Sequence, residues 1–269
     1  MQLLLMSEGV IMQVHQEKKR MKFRVSFIFL FIIASFVACF ALYMREDFDV
    51  AVPTMQNVDG SAVNAESNDY TADKTVVNPV PQSERADDTY FNTAAFIVLN
   101  NMSGLADYKV VPRENMLCGD FLIKNICSDE YGTNAFLQEE SYDSYYIEVG
   151  MNDLDSINDS DLFDGLKQLA ETICSVNPNA DIYLISLIPV TAANETEDVT
   201  NVKISAFNSA LLKFATENNL FYLDLNTYFV GNDGKLPESK SEKIGDRLKR
   251  DTYIEIGEYI LTHIGEYSA

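Results

Sequence analysis

The side chains in this sequence that suit chemistry cluster where short apolar runs end. Asn100 and Ser103 follow the run 94–99, and Asn152 and Asp153 follow the run 145–149. A hydroxyl such as that of Ser103 attacks a carbonyl only when a neighbouring base takes its proton, and the bases on offer are carboxylates such as Asp246 or Glu148. Asn100 carries an amide, which is no nucleophile, and Arg247 carries a guanidinium that stays protonated at neutral pH. The sequence holds two histidines. His15 lies ahead of a long apolar segment, and His263 lies near the C-terminus, where a helix-surface or helix-dipole role is expected. Gly150-Met151-Asn152-Asp153 also reads as a strand-ending turn, since Gly and Asn tolerate left-handed backbone and Asp caps a following helix. The four cysteines form no Cys-x-x-Cys pair and have no His beside them, so no zinc site is implied. Cys118 and Cys127 either pair or remain free thiols. No glycine-rich phosphate cradle is present and no cofactor is implied.

These residues need a frame, and hydrophobic periodicity supplies one. Residues 94–99, 145–149, 181–187 and 220–223 are short, nearly continuous apolar runs, the pattern of strands covered on both faces. Between them, 161–176 places Leu162, Leu166, Leu169 and Ile173 on one helical stripe, and 202–217 does the same with Ile204, Phe207, Leu211 and Phe214. Residues 251–263 read as a closing helix. Strand and helix alternate, so an α/β domain with a parallel sheet is expected. Sites in such sheets form beyond the carboxyl ends of the strands, where Asn100 and the Gly150–Asp153 turn both fall.

The remainder of the chain reads as attachment. Residues 25–44 form an uncharged apolar stretch of the ~20 residues that span a bilayer as a helix. Lys18, Lys19, Arg20, Lys22 and Arg24 precede it and Glu46, Asp47 and Asp49 follow, which predicts a cytoplasmic N-terminus (1–24) and an exported remainder. An uncleaved anchor is expected because the run exceeds the ~7–15 apolar residues of a signal-peptide core. The alternatives are a cleaved signal starting from Met21 and lipidation of Cys39. Residues 45–86, polar and without period, read as a disordered acidic stalk. Residues 1–45 hold six Lys/Arg and two Glu, leaving 14 positive and 39 negative charges on the rest, which argues against a nucleic-acid partner.

From residue 87 to the C-terminus the chain resembles the SGNH (GDSL-type) hydrolases. The segment 88–105 has that family's acidic-aromatic lead-in, its buried strand and a closing Gly104-Leu105, but Val98-Leu99-Asn100 stands where the family has Gly-Asp-Ser. Gly150-Met151-Asn152-Asp153 matches the family's Gly-x-Asn-Asp/Glu block, Ile185 to Thr191 its strand-ending Pro-Val/Thr segment, and 220–224 a strand ending in an acid. Where the family reads Asp-Gly-x-His-Leu, this chain reads Ile244-Gly245-Asp246-Arg247-Leu248, with Tyr253 also in register. The resemblance implies a three-layer α/β/α sandwich with a flavodoxin-like parallel sheet and, in active members, hydrolysis of acyl esters. It implies oxyanion donors at Asn152 and at the backbone of Gly119, and it places Asn100, Ile244 and Arg247 on the three triad positions.

With Ser, Asp and His all replaced, the expected role is that of a membrane-anchored binding or assembly module for cell-surface glycan or acyl modification. Asn100, Asn152 and Arg247 would then line the former site and hold a carboxylate or sugar. The competing reading is an esterase, or a glycan O-acyl hydrolase or transferase, that uses Ser103 with Asp246 or Glu148 as base. A passive surface spacer is the third.

Overall fold

The computed structural model describes residues 75–99, 101–120, 122–156, 160–242 and 247–268. The expected cytoplasmic segment, the span 25–44 and the stalk up to residue 74 lie outside the described residues. Among the described residues no helix is long and apolar enough to cross a membrane.

In chain order the strands are β1 (Thr75–Val76), β2 (Ala94–Val98), β3 (Met116–Cys118), β4 (Ser144–Glu148), β5 (Asp181–Ile185), β6 (Phe221–Leu223) and β7 (Tyr267–Ser268). The α-helices are α1 (Gly104–Asp107), α2 (Thr133–Glu139), α3 (Ser160–Val176), α4 (Asn201–Glu217), α5 (Leu225–Phe229) and α6 (Arg250–Leu261). Five strands form one parallel sheet in the order β3-β2-β4-β5-β6, and β1 pairs with β7 in a separate antiparallel ribbon. The four apolar runs expected as strands are β2, β4, β5 and β6. β3 was not expected: its three residues are too few to show a period. The run 181–187 stops pairing as strand at Ile185, because Leu187 turns its N–H and C=O to the side chain of Asn208, both at 2.8 Å.

Both faces of the sheet are covered, as nearly continuous apolar strands require. On one face Ala95, Ile97, Tyr145, Ile147, Ile182 and Leu184 pack against the stripes of α3 (Leu162, Leu166, Leu169, Ile173) and α4 (Ile204, Phe207, Leu211), all buried. On the other face α1 and α6 supply Leu105, Tyr253, Ile256 and Ile260. Equivalent positions on neighbouring parallel strands share a face, so Phe96, Tyr146, Tyr183 and Phe221 stack in a ladder with centroids 4.9, 4.6 and 4.9 Å apart. Such pairs add specificity beyond the area they bury.

The boundary expected at residue 86 moves towards the N-terminus. Residues 75–86 are a strap along the folded domain rather than stalk. Val80 N–H donates to Tyr222 O at 2.9 Å, and the Asn78 side chain bonds Leu220 O and Tyr222 N–H, each at 2.8 Å. Ser83 and Ala86 bond the end of α6, and Arg85 grips Glu258 through two nitrogens at 2.8 Å. The physical reason is the exposed edge of β6, whose backbone needs partners that this polar, Pro-containing segment supplies.

Candidate functional site

The carboxyl ends of β2, β3 and β4 meet at one rim of the sheet. β2 lies between the other two, with Val98 level with both Cys118 and Glu148. After β4 the chain passes so close to β2 that a Cβ on Gly150 would lie 3.0 Å from Leu99 O, so glycine permits the turn. Beyond it, Met151–Ser156 forms a short 3-10 helix carrying Asn152 and Asp153.

Asn152 is exposed, and its Nδ2 donates to Asp120 Oδ1 at 2.7 Å. Asp153 is 1% exposed and accepts from Ile123 N–H at 3.2 and 3.3 Å. Burial pushes its carboxyl up to about 6, against the lowering effect of backbone donors at Ile123 and Gly150. The turn is thus tied twice to the loop after β3. Gly119 N–H donates to Val98 O at 3.1 Å, extending the β2–β3 ladder. Sequence patterns missed Asp120 and the Ile123 amide, because nothing local marks them as partners of a turn some thirty residues on.

Ser103 opens α1 in helical geometry, and its side chain makes no capping hydrogen bond. Among the described residues no base is hydrogen-bonded to its hydroxyl. Asn100, Ile244 and Asp246 lie outside the described residues. Arg247 is half exposed and turned to the end of α1: its guanidinium pairs with Asp107 Oδ2 and lies 5.7 Å from the centroid of the Tyr108 ring. Arg113 approaches the other Asp107 oxygen at 3.9 Å. The hydrogen bond that Arg247 donates to Asp107 holds its guanidinium above its ordinary pKa, so it is a fixed cation. Asn152 and Arg247 therefore engage different carboxylates, Asp120 and Asp107. Arg247 is held by charge at the Asp107 carboxylate, and the neutral Asn152 amide by a hydrogen bond at that of Asp120.

Glu148, at the end of β4, is 4% exposed. It lines a cavity of ≈ 20 Å³ together with Met102, Ile188, Thr191, Leu236 and Leu248. Cys118 and Cys127 carry free thiols, and burial pushes both up in pKa, away from nucleophilic thiolate. His263 follows α6, stacked on Tyr259 at 3.7 Å with Nδ1 2.8 Å from Tyr259 O, which is a helix-end position. His15 is outside the described residues. Among the described residues no three His, Cys, Asp or Glu side chains gather to hold a metal ion.

Residues 128–243 match the model of the GDSL-like lipase/acylhydrolase family. Among solved structures, a protein from Streptococcus pneumonia provisionally described as a platelet activating factor is similar at 15% identity and a TM-score of 0.52, over 64% of this chain and 87% of that one. A protein from Slackia heliotrinireducens provisionally described as an SGNH hydrolase is similar at 11% identity and a TM-score of 0.50, over 64% of this chain and 98% of that one. At such identities the likeness is one of fold. No curated protein matches the chain.

Proposed function

We propose that the chain, whose residues 128–243 match the model of the GDSL-like lipase/acylhydrolase family, is a member of that family that does not hydrolyse esters and that uses the family's cleft to bind. The observation that carries this reading is Arg247 on the base position, fixed as a cation by Asp107, with Asn100 on the nucleophile position. Neither can do the work of the residue it replaces: an amide does not attack a carbonyl, and a guanidinium does not take up a proton at neutral pH. Loss of the nucleophile or base of a serine triad costs on the order of a millionfold in turnover. The engagement of Asn152 by Asp120 supports the same reading, because the amide suited to an oxyanion already serves a carboxylate.

In this reading residues 25–44 anchor the domain on the outer side of a membrane, and the ligand is a surface glycan or a component of its acyl modification. Support comes from the apolar length of that segment and the charge asymmetry around it. The esterase reading that uses Ser103 needs a base within ~3.2 Å or one water, and no described residue is hydrogen-bonded to that hydroxyl.

The test is hydrolysis of p-nitrophenyl acetate by the purified protein. The expected rate is that of buffer, unchanged in Ser103→Ala. Turnover that Ser103→Ala abolishes would overturn the proposal.

A further inference from the structure

The strap and the C-terminal tail are stitched to each other as well as to the domain. Thr75 and Val76 of β1 pair with Ser268 and Tyr267 of β7, and Ser268 Oγ donates to Thr75 O at 3.0 Å. Further along, Ser83 N–H donates to Thr262 O at 2.7 Å, while Ser83 Oγ accepts from Ile264 N–H at 3.1 Å. Between these stitches both segments cover the same flank of the sheet. Asn78 and Val80 take up Leu220 O and both backbone groups of Tyr222. From the tail, Gly265 N–H donates to Tyr183 OH at 3.0 Å and the Tyr267 ring centroid lies 4.9 Å from that of Phe221.

The grip is shallow. Val76 and Val80 are the strap's two buried side chains, and Val77 beside them is 49% exposed. In the sheet, by contrast, every residue of β2 and β4 is buried. A two-stranded ribbon has little stability of its own, and segments held by exposed backbone bonds and few apolar contacts lie at the low end of local stability. Because strap and tail bond to one another, release of one removes partners from the other.

We infer that residues 75–86 and 264–268 form a clasp that opens as one unit while the five-stranded sheet stays folded, baring the edge of β6. The open form presents Leu220 O and the N–H and C=O of Tyr222, the pairing groups of a free strand edge. The chain enters the domain through β1, so a pull on the segment before Thr75 loads the clasp before it loads the sheet. The clasp belongs to the β6 edge and not to the rim at the ends of β2, β3 and β4, and its opening does not depend on whether the chain hydrolyses esters.

The experiment is hydrogen exchange of the full chain in detergent, followed for single amides by NMR in a urea series below the unfolding transition. The amides of Val80, Ser83, Ala86, Tyr222, Ile264 and Gly265 are expected to share one urea dependence and to exchange at least about a hundredfold faster than those of Ile97 and Ile147. Asn78→Ala is expected to speed Ile264 and Gly265, which share no hydrogen bond with Asn78, as much as Val80, by about tenfold. Ile173→Val trims a buried side chain of α3 and is expected to speed Ile97 and Ile147 by about threefold to tenfold, leaving the six clasp amides unchanged.

Unchanged exchange of Ile264 and Gly265 in Asn78→Ala would separate the tail from the strap and overturn the inference. Clasp amides as slow as Ile97 and Ile147, or speeded together with them in Ile173→Val, would show that the clasp opens only when the whole domain unfolds, and would overturn it equally.

Discussion

The side-chain amide of Asn152 donates to the carboxylate of Asp120 at 2.7 Å, which joins the turn after β4 to the loop after β3 across the intervening β2. In an acyl-transfer site, a donor so placed is typically worth ~10²–10³ in rate when it meets a developing oxyanion. Here it meets a charge the protein itself carries, and Gly119 N–H is likewise committed to Val98 O.

In the non-hydrolytic reading proposed above, this contact limits any attempt to install catalysis. The triple variant Asn100→Ser, Ile244→Asp, Arg247→His is expected to hydrolyse p-nitrophenyl acetate at no more than a few times the background rate. Adding Asp120→Ala frees the Asn152 amide and is expected to raise that rate at least about tenfold. Equal rates with and without Asp120→Ala would show that Asp120 does not restrain the donor.

Asp153 links stability to pH in a definite sense. Its folded pKa, raised to about 6 by burial, lies above the unfolded value near 3.8. The stability it contributes is therefore fully present below about pH 3.8 and is lost as pH rises through about 6. Asp153→Asn keeps an acceptor for the Ile123 amide and removes the buried charge. Thermal unfolding is expected to show this variant melting above the parent at pH 8, with the gap closing between pH 6 and pH 4.

Gly104 lets α6 press onto α1. A Cβ there would lie 2.1 Å from Cζ of the buried Tyr253 ring, so Gly104→Ala is expected to cost about 1–3 kcal/mol or more in urea unfolding. Trimming the ring in Gly104→Ala/Tyr253→Leu should recover part of that loss. An unchanged midpoint in Gly104→Ala would contradict the close approach of the two helices.

The strap sets where the folded domain begins. Removing residues 1–74 is expected to leave the melting temperature of the domain unchanged, whereas removing 1–86 uncovers β6 and lowers it by several degrees. Asn78→Ala alone leaves the Tyr222 N–H without its acceptor, a loss of about 1–3 kcal/mol.

Breaking the Asp107–Arg247 pair has little energetic weight. Both side chains are about half exposed, and exposed pairs contribute between nothing and ~1 kcal/mol. Arg247→Ala is expected to change the urea midpoint by less than Asn78→Ala does.

Local pattern sufficed for whatever depends on local pattern. Short, nearly continuous apolar runs mark β2, β4, β5 and β6, and period 3.6 marks the buried stripes of α3 and α4, because both signals lie within a few neighbours along the chain. Alternation of the two patterns implies a parallel sheet, and Asn100 and Arg247 are by residue type neither a serine nor a histidine whatever the fold. β3 escaped notice because three residues show no period, and the strap because its hydrogen bonds reach Leu220 and Tyr222 from Asn78, more than 140 positions away.

The contents of the site were decided in three dimensions. Arg247 turns to Asp107 across 140 positions and Asn152 to Asp120 across 32. Glu148 and Thr191 share a cavity only because two neighbouring strands end level with one another. Residue types limit which chemistry is possible. Which charges, donors and hydroxyls meet is set by strand order and register, since electrostatic and hydrogen-bonding partners are chosen by distance in space and not along the chain.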